Sequence, residues 1–374
     1  MSSKKAASKE NILLALLLLL LTMLVAGLAV RAFRSSPALN RLLILVGLRE
    51  ERAVSESVSF DVGTAEGFAV AGENIAVVSA TGAQLLDNAG ETLARASFAM
   101  EKPAVSASPV NTAFFDAGGS SLYIISTDGS YTDLSLTEAL YSVDVSRDGY
   151  VTLCSECPDY LGRVTVFSPE LSPLFQFDCG QSGYPLCARV SPEGVLVLCC
   201  VSRAGTVLRW YNLDSTEELA SYSIENRLFF DFDFLQDGTL AAISEDGLLF
   251  FDGSGTFLSE LSFGGSYLGD YCLSGRNVLV LLRDNRSGTA GAIFSVCSDG
   301  STVGELRIDR GVTSLSACES SVLVLYSDEL TLYSDELVED VSYQHVENVR
   351  RAMLREDGSA LLFNSYGANI IHFN

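Results

Sequence analysis

The residues of this chain that could do chemistry are few and scattered. Cys154 and Cys157 form one CxxC, the spacing of half a zinc site or of a dithiol centre, but no second pair with zinc-site spacing follows. The remaining cysteines, Cys179, Cys187, Cys199, Cys200, Cys272, Cys297 and Cys318, mostly fall in apolar runs, where a thiol behaves as a small buried hydrophobe. Nine is an odd number, so a complete disulfide framework is not expected, and free thiols suit a reducing or anoxic setting. Asp231, Asp233 and Asp237-Gly238 come near a calcium loop, but the spacing departs from DxDxDG and no Glu stands at the twelfth position. A strand with solvated carboxylates running into a turn explains them. His345 and His372 are the only histidines, so a Ser or Cys nucleophile has few bases to work with. His372 reads as a packed residue of a closing strand. There is no GxSxG elbow, no HExxH and no glycine-rich phosphate loop. No catalytic residue, cofactor or metal is expected, and the domain reads as non-catalytic. Paired carboxylates of the kind that cleave glycosidic bonds are the competing reading, which would make it a cell-wall glycan-processing enzyme, but the sequence singles out no pair.

Three tyrosines stand where a partner could meet them. Tyr160 lies in the segment 157–162, Tyr184 in 180–184 and Tyr267 in 264–268, each rich in residues that reverse the chain. Amphipathic rings on rigidly held loops suit contact with a protein partner.

The elements that must hold these loops repeat. Eight times, at a spacing of about 40 residues, an apolar strand enters a tight polar turn and a second strand follows. The turns centre near Gly72, Pro109, Asp148, Glu193, Asp237, Gly275, Glu319 and Asp357. Four read almost alike, among them Ser146-Arg147-Asp148-Gly149 and Ser191-Pro192-Glu193-Gly194. An acidic side chain accepts from loop amides, and the glycine tolerates positive φ. The runs after these turns, such as Val195 to Cys200 and Asn277 to Leu282, are apolar on both faces, as befits the second strand of a blade sandwiched between neighbours. A later reversal closes each unit, near Gly90, Asp128, Pro169, Leu213, Gly253, Asp299 and Asp335. Only seven such reversals accompany eight first turns. The last unit therefore lacks its outermost strand, and Ser57 to Val62, before the first unit, has the length and alternation to supply it. The expected fold is all-β, an eight-bladed β-propeller closed by an N-terminal strand; the competing count is seven, if the short unit 103–136 is irregular.

The first residues are of another kind. Residues 12–30 carry no charge and are dominated by Leu, enough helix to cross about 30 Å of hydrocarbon. They read as an uncleaved signal anchor, a transmembrane helix, because the run exceeds a signal peptide's apolar core and Arg31 and Arg34 interrupt any cleavage pattern. Residues 1–11 form a short basic cytoplasmic tail, 31–56 a juxtamembrane linker with a short apolar segment, and 57–374 the propeller. Basic residues flank the span on both sides, but a short tail and the ready translocation of large domains favour an extracytoplasmic propeller.

Charge divides the chain at the same place. Residues 1–52 hold eight Lys and Arg against three Asp and Glu, which leaves 16 basic and 44 acidic residues beyond them. Such a domain is repelled by nucleic acid and by anionic headgroups, so a nucleic-acid partner is excluded and only residues 12–30 are expected to meet the lipid bilayer.

The Ser-Arg-Asp-Gly and Ser-Pro-Glu-Gly turns with their apolar strands resemble the blade turns of the WD40, YVTN and quinoprotein-like propeller superfamilies across residues 57–374. The only Trp, Trp210, is followed by Tyr211, so the WD dipeptide is missing, as are the Trp-rich docking motifs of quinoprotein enzymes. The plan as a whole, a basic tail, one Leu-rich span and eight units, is similar to an uncharacterised family of single-pass membrane proteins from Gram-positive anaerobes. That resemblance implies membrane anchoring and a domain of unknown function. The expectation is a membrane-anchored protein-binding or scaffold module at the cell surface.

Overall fold

A computed structural model describes residues 55–373, apart from 181, 182, 216, 345 and 347. The expected tail, transmembrane span and most of the linker, residues 1–54, lie outside the described residues, as does His345. No helix occurs among those described. Thirty-two strands form eight four-stranded antiparallel sheets, each ordered from an inner strand to an outer one. Blades 1 to 7 span residues 67–97, 103–133, 140–179, 184–225, 229–262, 267–308 and 312–344. The unit at 103–136 is a full blade, although its outer strand, Tyr131–Asp133, is only three residues long.

Blade 8 is shared between the ends of the domain. Its inner strands are Arg351–Leu354, Ala360–Phe363 and Gly367–Ile371, and Ser55–Ser59 pairs antiparallel with the last, from Ser55 opposite Ile371 to Ser59 opposite Gly367. The closing strand starts two residues earlier than Ser57, and the chain then turns inward at Phe60, whose N–H donates to Tyr366 O at 2.8 Å. Side chains seal the joint. Phe68 of blade 1 stacks on Phe363 of blade 8 at 4.7 Å, and Arg350 Nη1 donates to Ala65 O at 3.0 Å. Buried Arg355 reaches Asn88 of blade 1 and donates through Nε to Ser359 Oγ at 2.7 Å.

The turns form as their chemistry predicts, with a division of labour. In Asp237-Gly238 and Asp357-Gly358 the carboxylate accepts the amide two residues on, at 3.0 and 2.8 Å, and the glycines take φ of +82° and +79°. At Ser146 and Ser191 the serine Oγ accepts the loop amide instead, at 3.1 Å in both.

The core lies between blades. The described residues form eight apolar clusters, one at each seam. Second strands are buried on both faces: Leu196 to Cys200 are fully enclosed, as are Val278 to Val280. Inner strands of neighbouring blades diverge too far for a continuous ladder, and hydroxyls bridge the gap. Val145 N donates to Ser106 Oγ and Leu354 N to Ser316 Oγ, each at 3.0 Å, so backbone groups facing the channel keep partners.

Candidate functional site

Antiparallel blades give the disc two unlike faces. The turns between first and second strands, and between third and outer strands, lie on one face, the turn face. The loops between second and third strands, and the links between blades, lie on the other, the loop face.

Five consecutive inner strands, in blades 3 to 7, carry a β-bulge near their start, between Leu140 and Ser142, Pro185 and Cys187, Phe229 and Asp231, Leu268 and Asp270, and Val312 and Ser314. A bulge adds one residue on one side of the ladder and re-aims the side chains beyond it. Two of the extra residues, Tyr141 and Phe230, are exposed at the loop face. Further along these strands, Asp144, Arg189 and Asp233 reach the central channel, which opens toward the turn face as a cavity of about 640 Å³ lined by all eight blades.

Arg189 organises that cavity. Its Nε donates to Asp144 Oδ1 at 2.9 Å, Nη1 lies 3.1 Å from Asp231 Oδ1 and 3.9 Å from Asp233 Oδ2, and Cζ sits 5.6 Å from the Phe232 ring centroid. Tyr271 OH donates to Asp231 Oδ2 at 3.0 Å, which brings in a fourth blade. Three carboxylates share one guanidinium. Burial pushes the Asp144 carboxyl up despite Arg189, and burial, with the Asp144 charge added, pushes Asp233 up to about 6. Burial disfavours the Arg189 charge, yet Asp233, Asp144 and Asp231 outweigh it and hold its pKa well above the ordinary value. Burial, then the Asp231 charge, raises the Tyr271 phenol, which stays protonated as a donor. The arrangement can take up a proton near pH 6 and attracts positive charge. At the mouth, Arg147 Nη2 meets Glu356 Oε1 at 2.9 Å, joining blades 3 and 8.

The solvated strand expected at Asp231 and Asp233 is therefore a half-buried ion-pair node. Asp237, separate from it, sits in a turn and accepts from Ser298 Oγ at 2.8 Å. His372 is exposed just past the end of its strand rather than packed in it. Among the described residues no group of three or more His, Cys, Asp or Glu could hold a metal ion.

The three tyrosines all emerge on the loop face. Tyr160 and Tyr184 are each 52% exposed and Tyr267 is 42% exposed, so their rings are free to be covered. Tyr160 belongs to blade 3, beside Gly180, and Tyr184 opens blade 4; Tyr267 opens blade 6 with the Arg286 guanidinium 5.7 Å from its ring centroid. Between them stand residues that loop composition did not reveal: exposed Tyr141, Leu228 and Phe230. Burial, then nearby Glu156 and Tyr184, raises the Tyr141 phenol, so Tyr141 and Tyr184 are neighbours across the blade boundary. An apolar arc thus runs over blades 3 to 6. Nearby, Glu329 accepts both Nη atoms of Arg310, at 2.5 and 3.0 Å, and that fork holds its carboxyl down at about 2.

No disulfide joins any of the nine cysteines. The CxxC is not a unit: Cys154 is buried in the core between blades 3 and 4, whereas Cys157 Sγ contacts Pro158 O in its loop at 3.7 Å.

Closed antiparallel blades around a lined channel define an eight-bladed β-propeller. By sequence, residues 49–372 match the family of unknown function DUF5711, and the chain belongs to that family. No curated protein matches it. Among solved structures it is similar to the C-terminal WD40 domain of Sif2, with a TM-score of 0.60 and 12% identity over 87% of this chain and 100% of that one. The computationally designed Ika8 protein gives 0.63 and 13%, covering 84% of this chain and 99% of that one. BamB from Moraxella catarrhalis gives 0.57 and 13%, covering 86% and 98%. Identities this low speak for the fold alone.

Proposed function

We propose that this propeller is a non-catalytic protein-docking module, held at a membrane by residues 12–30 and presented outside the cytoplasm, and that its partner binds the loop face. The observation that carries the proposal is the arc of exposed Tyr141, Tyr160, Tyr184, Leu228, Phe230 and Tyr267 over four adjacent blades. Tyrosine and phenylalanine bring large area at small entropic cost and are enriched where protein interfaces are tightest. Propellers commonly serve as interaction scaffolds because loops on a rigid disc keep their geometry. The acidic surplus beyond residue 52 selects a partner whose rim is basic.

A photo-crosslinking residue placed at Tyr160, Tyr184 or Tyr267 in intact cells is expected to capture one and the same protein. Placed at Asp299, on the turn face, it should not. Phe230→Ala should weaken that capture at least tenfold. Equal capture from both faces would overturn the proposal. So would turnover of wall-glycan fragments that Asp233→Asn abolishes, the behaviour of a carboxylate enzyme. Protease treatment of whole cells should remove the propeller; protection would place it inside.

A further inference from the structure

Five cysteines gather around the second strand of blade 4. Cys199 and Cys200 are consecutive in Val195–Ser202 and point to opposite faces of it. Cys199 faces blade 5, where its Sγ contacts Phe229 O at 3.8 Å, and its ladder partner is Cys187. Cys200 faces blade 3 and shares a core with Cys154 and Cys179. Two ladders bring Cys179 and Cys200 together. Cys179 stands opposite Gly162 in blade 3, Cys200 stands opposite Pro185 in blade 4, and Gly162 and Pro185 abut so closely that a Cβ on Gly162 would lie 2.6 Å from the proline ring. The two thiols lie close enough to shift each other's pKa in opposite directions, Cys179 down and Cys200 up.

We propose that Cys179 and Cys200 are a reversible modification site: a dithiol that closes to a disulfide across the join of blades 3 and 4 when a peroxide reaches it. The Cys179 thiolate attacks one peroxide oxygen, giving a sulfenic acid and one water. The Cys200 sulfur then attacks the sulfenic sulfur, its proton leaves with the hydroxyl as a second water, and the S–S bond forms. Two thiols and one hydrogen peroxide become one disulfide and two waters. A dithiol reductant reverses it by exchange.

Two features support this order of events. The adjacent Cys200 thiol lowers the Cys179 pKa against the effect of burial, which favours Cys179 as the attacking thiolate. Cys179 is buried but is the last residue of its strand, beside half-buried Gly180, so a small oxidant would reach it through local opening of that end.

The test uses the full-length chain, treated with hydrogen peroxide or left reduced, then denatured, alkylated and digested without reductant for mass spectrometry. Peroxide should reduce the alkylated cysteines by two and yield a peptide pair linked through Cys179 and Cys200, two hydrogens lighter than its reduced parts. Dithiothreitol should restore all nine. Cys179→Ala and Cys200→Ala should each remove the link, and Cys187→Ala should leave it. Wild-type mapping decides the matter even where a variant fails to fold. Nine alkylated cysteines after peroxide, or a link between Cys187 and Cys199 in its place, would overturn the proposal.

Discussion

Asp144 and Arg189 occupy the same place in successive blades, each five residues before a turn glycine, Gly149 and Gly194, and Arg189 Nε donates to Asp144 Oδ1 at 2.9 Å. Asp233 stands five residues before Gly238 in the next blade. One guanidinium thus holds the inner strands of three blades around the channel. Removing it leaves three carboxylates facing one another.

Arg189→Met should cost about 3 kcal/mol of stability at pH 7.5, since an uncompensated partly buried charge is far worse than a lost pair. Protonation of Asp144 and Asp233 relieves that repulsion, so the loss should shrink at pH 5. Urea unfolding at both pH values checks this. An equal loss at each would mean that the guanidinium acts by packing alone.

Asp233→Asn should have the opposite sign. The folded pKa of Asp233 is raised to about 6 from 3.8, so the folded state binds the extra proton and this group's contribution falls as pH rises from 3.8 to 6. Above pH 6 the charged carboxylate is a net cost. It is 40% exposed, and solvent screening reduces that cost to about 1 kcal/mol. The variant should therefore be more stable than wild type at pH 7.5 and no different at pH 3.5, as read from urea midpoints.

Val58→Asp tests the closure of the ring. Val58 is 3% exposed in the core shared by blades 8 and 1, and a carboxylate there has no partner. A loss of about 3 kcal/mol is expected, with earlier proteolysis at the C-terminal strands. Wild-type stability in this variant would show that Ser55–Ser59 is not needed to close the domain.

Glu329→Gln probes the fork on the loop face. The Glu329 pKa is lowered from 4.5 to about 2, chiefly by the hydrogen bonds from Arg310. Its stabilisation is present above pH 4.5 and is lost as pH falls from 4.5 to 2. Arg310 is 43% exposed, so the loss in the variant at pH 7 should be about 1–2 kcal/mol after screening. The difference from wild type should vanish near pH 2, as followed by acid titration of the fluorescence of Trp210.

The features legible in the chain are those set by local chemistry. Turn glycines and the acidic residues before them announce themselves at a fixed spacing, and seven late reversals against eight early turns required a strand from the other end. Tyr160, Tyr184 and Tyr267 were visible because loops advertise their composition. Tyr141 and Phe230 were hidden, since each lies inside a strand and is turned out by a bulge that alternation alone does not reveal. The Arg189 node was hidden for another reason: its members lie 45 and 42 residues apart and meet only because blades stack. Aligning the turn glycines would have found it, because Asp144, Arg189 and Asp233 then fall in one column.

The shared blade also sets a timetable. Ser55–Ser59 leaves the ribosome about 300 residues before the strand it pairs with, Gly367–Ile371, and at ordinary translation rates it waits on the order of tens of seconds. A greasy segment left idle for that long would invite the wrong company. Its sequence, Ser-Glu-Ser-Val-Ser, offers water four polar side chains and hides one valine until the last blade is made.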